Sequence, residues 1–127
     1  MDVKEKIQVT KVGDVGVLAV EGTVTVRGES FLFQETIKKL LDQGLSKFVL
    51  NLAGIYFLDS MGIGDLVAAN VMARGSGARI CIANLPWKLR QLFDIMHLTK
   101  AMETYDSVEE AVSALTSSTN SSAIADV

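Results

Sequence analysis

This chain has little of what several common activities require. It contains one cysteine, one histidine, one proline and one tryptophan in 127 residues. A single cysteine, Cys81, excludes an internal disulfide and a cysteine-built metal site, and fits a reducing compartment. Mid-strand, it reads as a small buried apolar residue. A single histidine, His97, with no second base near it in sequence, reads as a structural or surface residue. Lysine and arginine form no cluster and the net charge is −3, which argues against a nucleic-acid surface. The longest apolar runs are strand-sized, far short of the roughly 18 residues of a membrane span. Met1 to Lys6 is charged and lacks the apolar core of a secretion signal. There is no phosphate-cradling glycine loop of the P-loop type and no nucleophile–base pair. The expectation is a cytoplasmic protein that is not an enzyme, without cofactor or metal and without nucleic-acid binding or membrane insertion.

What the chain does have is a core. Hydrophobic residues make up 49% of it, enough for one globular domain at this length. Ile7, Val9 and Val12 alternate with polar residues as in a half-exposed strand. Gly13-Asp14 marks a turn into a second strand, Val15 to Val20. Glu21 to Glu29 reads as loop, within which Thr23 to Val26 extends or restarts a strand. From Ser30 the period becomes helical, with Phe33, Ile37, Leu40 and Leu41 inward and Gly44 as the stop. Phe48 to Leu52 is a nearly continuous apolar run, as in a strand covered on both faces. A largely apolar helix (Ile63, Leu66, Val67, Ala69, Val71, Met72) runs to about Arg74-Gly75. Arg79 to Ala83 is another buried-type strand. Pro86 opens a helix whose inward face is Leu89, Leu92, Phe93 and Met96. Met102 to Tyr105 is a short strand. Asp106 or Ser107 caps a last helix with Val108, Ala111, Val112 and Leu115 inward. This order predicts an α/β fold: a mixed central sheet with an antiparallel opening hairpin, then parallel β-α units, and about four helices. The domain is placed at 1–115. The Ser/Thr-rich tail 116–127 has too little apolar content to offset ordering entropy, so it is expected to be disordered.

The most informative run is Phe57-Leu58-Asp59-Ser60-Met61-Gly62-Ile63-Gly64. It places a hydroxyl and a carboxylate where a strand gives way to a helix. Ser60 has two readings. It is an N-cap whose hydroxyl serves a free backbone N–H, or it is a phosphoacceptor facing the positive end of the helix dipole. Asp59 can cap equally well, which would leave Ser60 free. Gly62 and Gly64 each cost about 0.5–1 kcal/mol in a helix relative to Ala. Tolerating both suggests close approach by a neighbouring backbone or a partner. Met61 reads as an exposed apolar contact at a helix start. Trp87 reads either as a partner anchor or as cover for the sheet edge.

Leu58 to Leu66, preceded by the strand Phe48 to Leu52, resembles the signature of STAS domains, most of all the bacterial anti-sigma factor antagonists, whose motif reads roughly Asp-Ser-small-Gly-Leu/Ile-Gly. Val17 to Gly22, Ile80 to Asn84, Leu92 to Thr99 and Tyr105 to Ala111 are similar to flanking segments of that family. The resemblance covers about residues 5–115. It implies that Ser60 is phosphorylated by an anti-sigma factor of serine-kinase type. The unmodified protein would bind that factor, phosphorylation would break the contact, and a cognate phosphatase would restore it. Asp59, Met61, Gly62, Gly64 and Thr25 would surround Ser60, and dimerisation stays open. Two positions depart from the pattern. Gly22-Thr23-Val24-Thr25 stands where Gly-x-Leu-Asp is common, and Met61 stands where a small residue is usual. They favour an alternative: a constitutive, non-phosphorylated STAS scaffold or small-ligand-binding subunit of a signalling or transport complex.

Overall fold

The computed structural model describes the backbone of residues 6–24 and 31–125 and the side chains of 7–22 and 31–116. The elements are β1 (Lys6–Val12), β2 (Val15–Val24), α1 (Leu32–Asp42), β3 (Lys47–Leu58), α2 (Ser60–Gly75), β4 (Arg79–Ala83), α3 (Trp87–Ile95), a 3-10 turn (Leu98–Lys100), β5 (Glu103–Tyr105) and α4 (Val108–Ala125). The five strands form one sheet in the order β1-β2-β3-β4-β5. β1 and β2 are an antiparallel hairpin, and the β2–β3, β3–β4 and β4–β5 pairs are parallel. The mixed α/β sheet expected from the sequence is therefore present.

Period-2 alternation sends the central strands' side chains to two apolar layers. Leu18, Val20, Phe48, Leu50, Leu52, Ile80 and Ile82 pack with Phe33, Ile37 and Leu40 of α1 and with Ile63, Leu66, Ala69 and Ala73 of α2. Val15, Val17, Val49, Cys81 and Ala83 pack on the other face, against Ala111 and Leu115 of α4. With helices on both faces, the parallel strands have no wet side, which explains the unbroken apolar run Phe48 to Leu50.

Several boundaries differ from the sequence reading. β3 continues past Leu52 to Leu58, because its second half pairs with β2 beyond the end of β4. β2 likewise runs to Val24 rather than stopping at Val20. Two register shifts in the β2–β3 pair absorb extra residues of β3. At the first, a Cβ on Gly54 would lie 2.9 Å from Glu21 Cγ and 3.3 Å from the Val20 carbonyl oxygen, so only glycine fits without displacement. Gly44 does end the first helix. At φ +95, its N–H donates to the Leu41 carbonyl at 2.9 Å, as left-handed C-terminal residues do.

Met96 is not on an inward helical face. It follows the last turn of α3 and is 44% exposed, and Val71 on α2 is 64% exposed. The backbone of α4 stays helical to Ala125, beyond the domain boundary placed at 115. A helix already held by Ala111 and Leu115 extends at small cost per residue, since Ser and Thr are only weakly disfavoured there.

Candidate functional site

The site forms where β3 ends. Leu58 is buried and Asp59 breaks the strand with φ −80 and ψ 176, an extended N-cap conformation. Its backbone carbonyl accepts from Ile63 N–H at 2.8 Å, and its Oδ1 accepts from Gly62 N–H at 2.6 Å. Asp59 thus closes the helix start by itself. Ser60 is left as the first residue of α2, exposed, and its hydroxyl has no hydrogen-bond partner among the described residues. Of the two readings of Ser60, the cap belongs to Asp59.

Exposed large apolar residues lie close to this hydroxyl in sequence. Tyr56 is 83% exposed, Phe57 53% and Met61 56%. Met61 is therefore an exposed apolar group, as expected. Gly62 is buried, whereas Gly64 is exposed and a Cβ there would meet nothing within 4 Å. Among the described residues no neighbour requires glycine at 64. Thr25 lies outside the described residues.

The structure adds a residue the sequence reading did not single out as functional. Asp65, on α2, is 2% exposed. Its Oδ2 accepts from Phe33 N–H at 2.8 Å and its Oδ1 from Gln34 N–H at 3.0 Å. The N-cap position of α1 is Phe31, whose side chain makes no cap bond. Asp65 supplies that cap from another helix. Two sequence features together would have pointed to it: a carboxylate on the inward stripe beside Leu66 and Ala69, and a helix opening on Phe31 with no capping side chain of its own.

The other candidates are placed elsewhere. Cys81 is fully buried. Burial pushes its thiol up to about 12, and the Glu103 carboxylate adds to the effect, so it stays protonated and unreactive at neutral pH. His97 is exposed in a left-handed turn at φ +60, between α3 and the 3-10 turn. Trp87 is 66% exposed and lines a cleft of about 400 Å³ with Ala53, Arg90 and Tyr105. A cleft of about 610 Å³ between Arg74, Arg79 and Lys100 lies at the opposite end of α2 from Ser60. Among the described residues no group of three or more His, Cys, Asp or Glu could hold a metal ion. No helix there is long and apolar enough to cross a membrane.

A family model described as the STAS domain matches residues 6–111. The chain belongs to the STAS-domain family. Solved structures with the same fold include an anti-sigma factor antagonist from Mycobacterium paratuberculosis, 20% identical, with a TM-score of 0.76, over 87% of this chain and 93% of that one. A putative anti-sigma factor antagonist from Thermotoga maritima is also 20% identical, with a TM-score of 0.76, over 84% of this chain and 91% of that one. The phosphorylated form of the Bacillus cell fate determinant SpoIIAA is 19% identical, with a TM-score of 0.65, over 87% of this chain and 99% of that one. At these identities the likeness is one of fold. Within this STAS domain, the Asp59-Ser60 element is the junction of β3 with α2.

Proposed function

We propose that this STAS domain is an anti-sigma factor antagonist. It acts as a non-enzymatic protein-interaction switch that binds an anti-sigma factor of serine-kinase type through the face around Ser60. The observation that carries this reading is the division of labour at the start of α2. Asp59 caps the helix, so the Ser60 hydroxyl is exposed and available as a phosphoacceptor. A phosphate there would add about −1.5 to −2 charge beside the exposed Met61 and next to the Asp59 carboxylate. Introduced into a desolvated contact without a cationic partner, that charge would break the contact. A cognate phosphatase would restore it. The family of its structural neighbours supports the same class of partner, and that class of partner belongs in the cytoplasm.

The test is affinity capture from the native cell with wild type, Ser60→Ala and Ser60→Asp as baits, plus intact-mass analysis of each bait. The switch reading expects a kinase-type factor on wild type and Ser60→Ala but not on Ser60→Asp, with added phosphate only on wild type. The same partners on all three baits, with no phosphate, would sink it. That outcome would favour the constitutive scaffold or small-ligand module that Met61 and the missing acid near Thr25 suggested.

A further inference from the structure

We propose that Asp65 is the positioning residue of the switch face. It locks the first turn of α1 onto α2 directly below Met61, so that a partner meets both helix starts as one rigid surface. The functional half of this inference rests on the switch reading; the geometric half does not.

The geometry is specific. Asp65 follows Met61 by one helical turn, so the two side chains are neighbours on one face of α2. Met61 is exposed there and Asp65 is covered. The cover comes from the start of α1, since both Asp65 oxygens take backbone N–H groups of Phe33 and Gln34. Asp65 lies about 7.5 Å along the axis from Ser60, at 1.5 Å per residue. A carboxylate with both oxygens on adjacent amides fixes position and rotation together, as a bidentate contact does. The other side-chain bond at that helix end is the Phe31 N–H donating to Glu35 Oε2 at 3.2 Å, which is exposed and local to α1. Among the described residues, no other side-chain hydrogen bond ties α1 to α2. Apolar packing of Phe33, Ile37 and Leu40 holds the helices together but tolerates sliding. The buried charge does not, because losing either amide leaves a desolvated oxygen without a donor.

The test uses the full chain as wild type, Asp65→Ala and the double variant Asp65→Ala/Phe31→Asp. The double variant gives α1 a local cap of the kind Asp59 gives α2, while the tie between the helices stays cut. Amide hydrogen exchange at Phe33 and Gln34 reports the helix start. NMR amide shifts of Met61 and Gly62 report what packs beside the switch. Retention of the captured kinase-type partner reports the face. In Asp65→Ala, exchange at Phe33 and Gln34 should accelerate at least about tenfold, and partner retention should fall by at least about tenfold. In the double variant, exchange should return to within about threefold of wild type, while partner retention and the Met61 and Gly62 shifts remain altered. If the double variant regains all three, Asp65 is a helix cap and no more, and the proposal fails. Unchanged exchange in Asp65→Ala overturns it at once. If wild type captures no kinase-type partner, the switch reading fails separately. The Met61 and Gly62 shifts in the double variant then decide the geometric half, displacement supporting it and recovery overturning it. Should Asp65→Ala not fold, Asp65→Asn keeps one acceptor and the same shape, and takes its place in both arms.

Discussion

α1 and α2 each begin on a row of backbone N–H groups with no intrahelical acceptor, and each is closed by an aspartate. The two solutions differ in where the aspartate comes from. Asp59 caps its own helix across three residues, half-buried, at 2.6 Å. Asp65 caps α1 from 31 and 32 positions away in the chain, with its side chain buried. A local cap stabilises one helix and leaves the surface above it free to change. A cap delivered across the fold stabilises a helix and also fixes where it sits. The Ser60 hydroxyl sits above the first kind, and the tie to a second element is of the other kind. A third aspartate, Asp14, shows that distance along the chain is not what matters. Its bond to Lys47 Nζ at 3.0 Å also spans 33 positions, but it is exposed, and water competes for both groups.

The sharpest way to break this comparison is to remove Asp65. Asp65→Ala leaves one buried and one part-buried amide without acceptors and should cost about 3 kcal/mol of unfolding free energy, read from urea denaturation. A loss no larger than that of Asp59→Ala would mean the two carboxylates are equivalent. Asp59→Ala removes a local cap and should cost about 1 kcal/mol, while Asp59→Asn should cost a few tenths, since asparagine caps nearly as well. Ser60→Ala should change stability by less than about 0.5 kcal/mol, because its hydroxyl does not cap the helix. A loss near 1 kcal/mol in the same denaturation would show that Ser60 shares the capping with Asp59.

The smallest effect is expected at Asp14. The hydrogen bond from Lys47 holds its carboxyl below the ordinary 3.8. A group with a depressed folded-state pKa contributes stability above its unfolded value, and loses it as pH falls through the lower folded value. Lys47→Met should therefore leave the thermal midpoint at pH 7 and physiological salt almost unchanged. Its trace should appear only as a shallower fall of stability below about pH 4. A large shift at neutral pH would contradict the distinction between exposed and buried partners.

Most of the fold was legible because its signals are local. The helical periods of Phe33-Ile37-Leu40 and of Ala111-Leu115, the turn at Gly13-Asp14 and the apolar runs at Phe48 and Ile80 each lie within one element. Their alternation leaves few topologies. The motif around Ser60 was legible for the same reason, including Asp59 as the alternative cap. The overhang of β3 was not, since Ala53 to Leu58 carries Gly54 and exposed Tyr56 and Phe57, and only pairing with β2 makes it strand. Nor was the fate of Met96, whose spacing fits an inward face but which lies just past the end of α3.

The sequence alone determined the element order, the two-sided apolar core and the hydroxyl–carboxylate pair at a helix start, because periodicity and capping act over a few residues. Only the tertiary structure decided that Asp59 rather than Ser60 closes α2, and that Asp65 reaches across to close α1. Hydrogen bonds of that kind depend on which N–H groups packing brings within 3 Å of a buried oxygen, and no spacing along the chain encodes that.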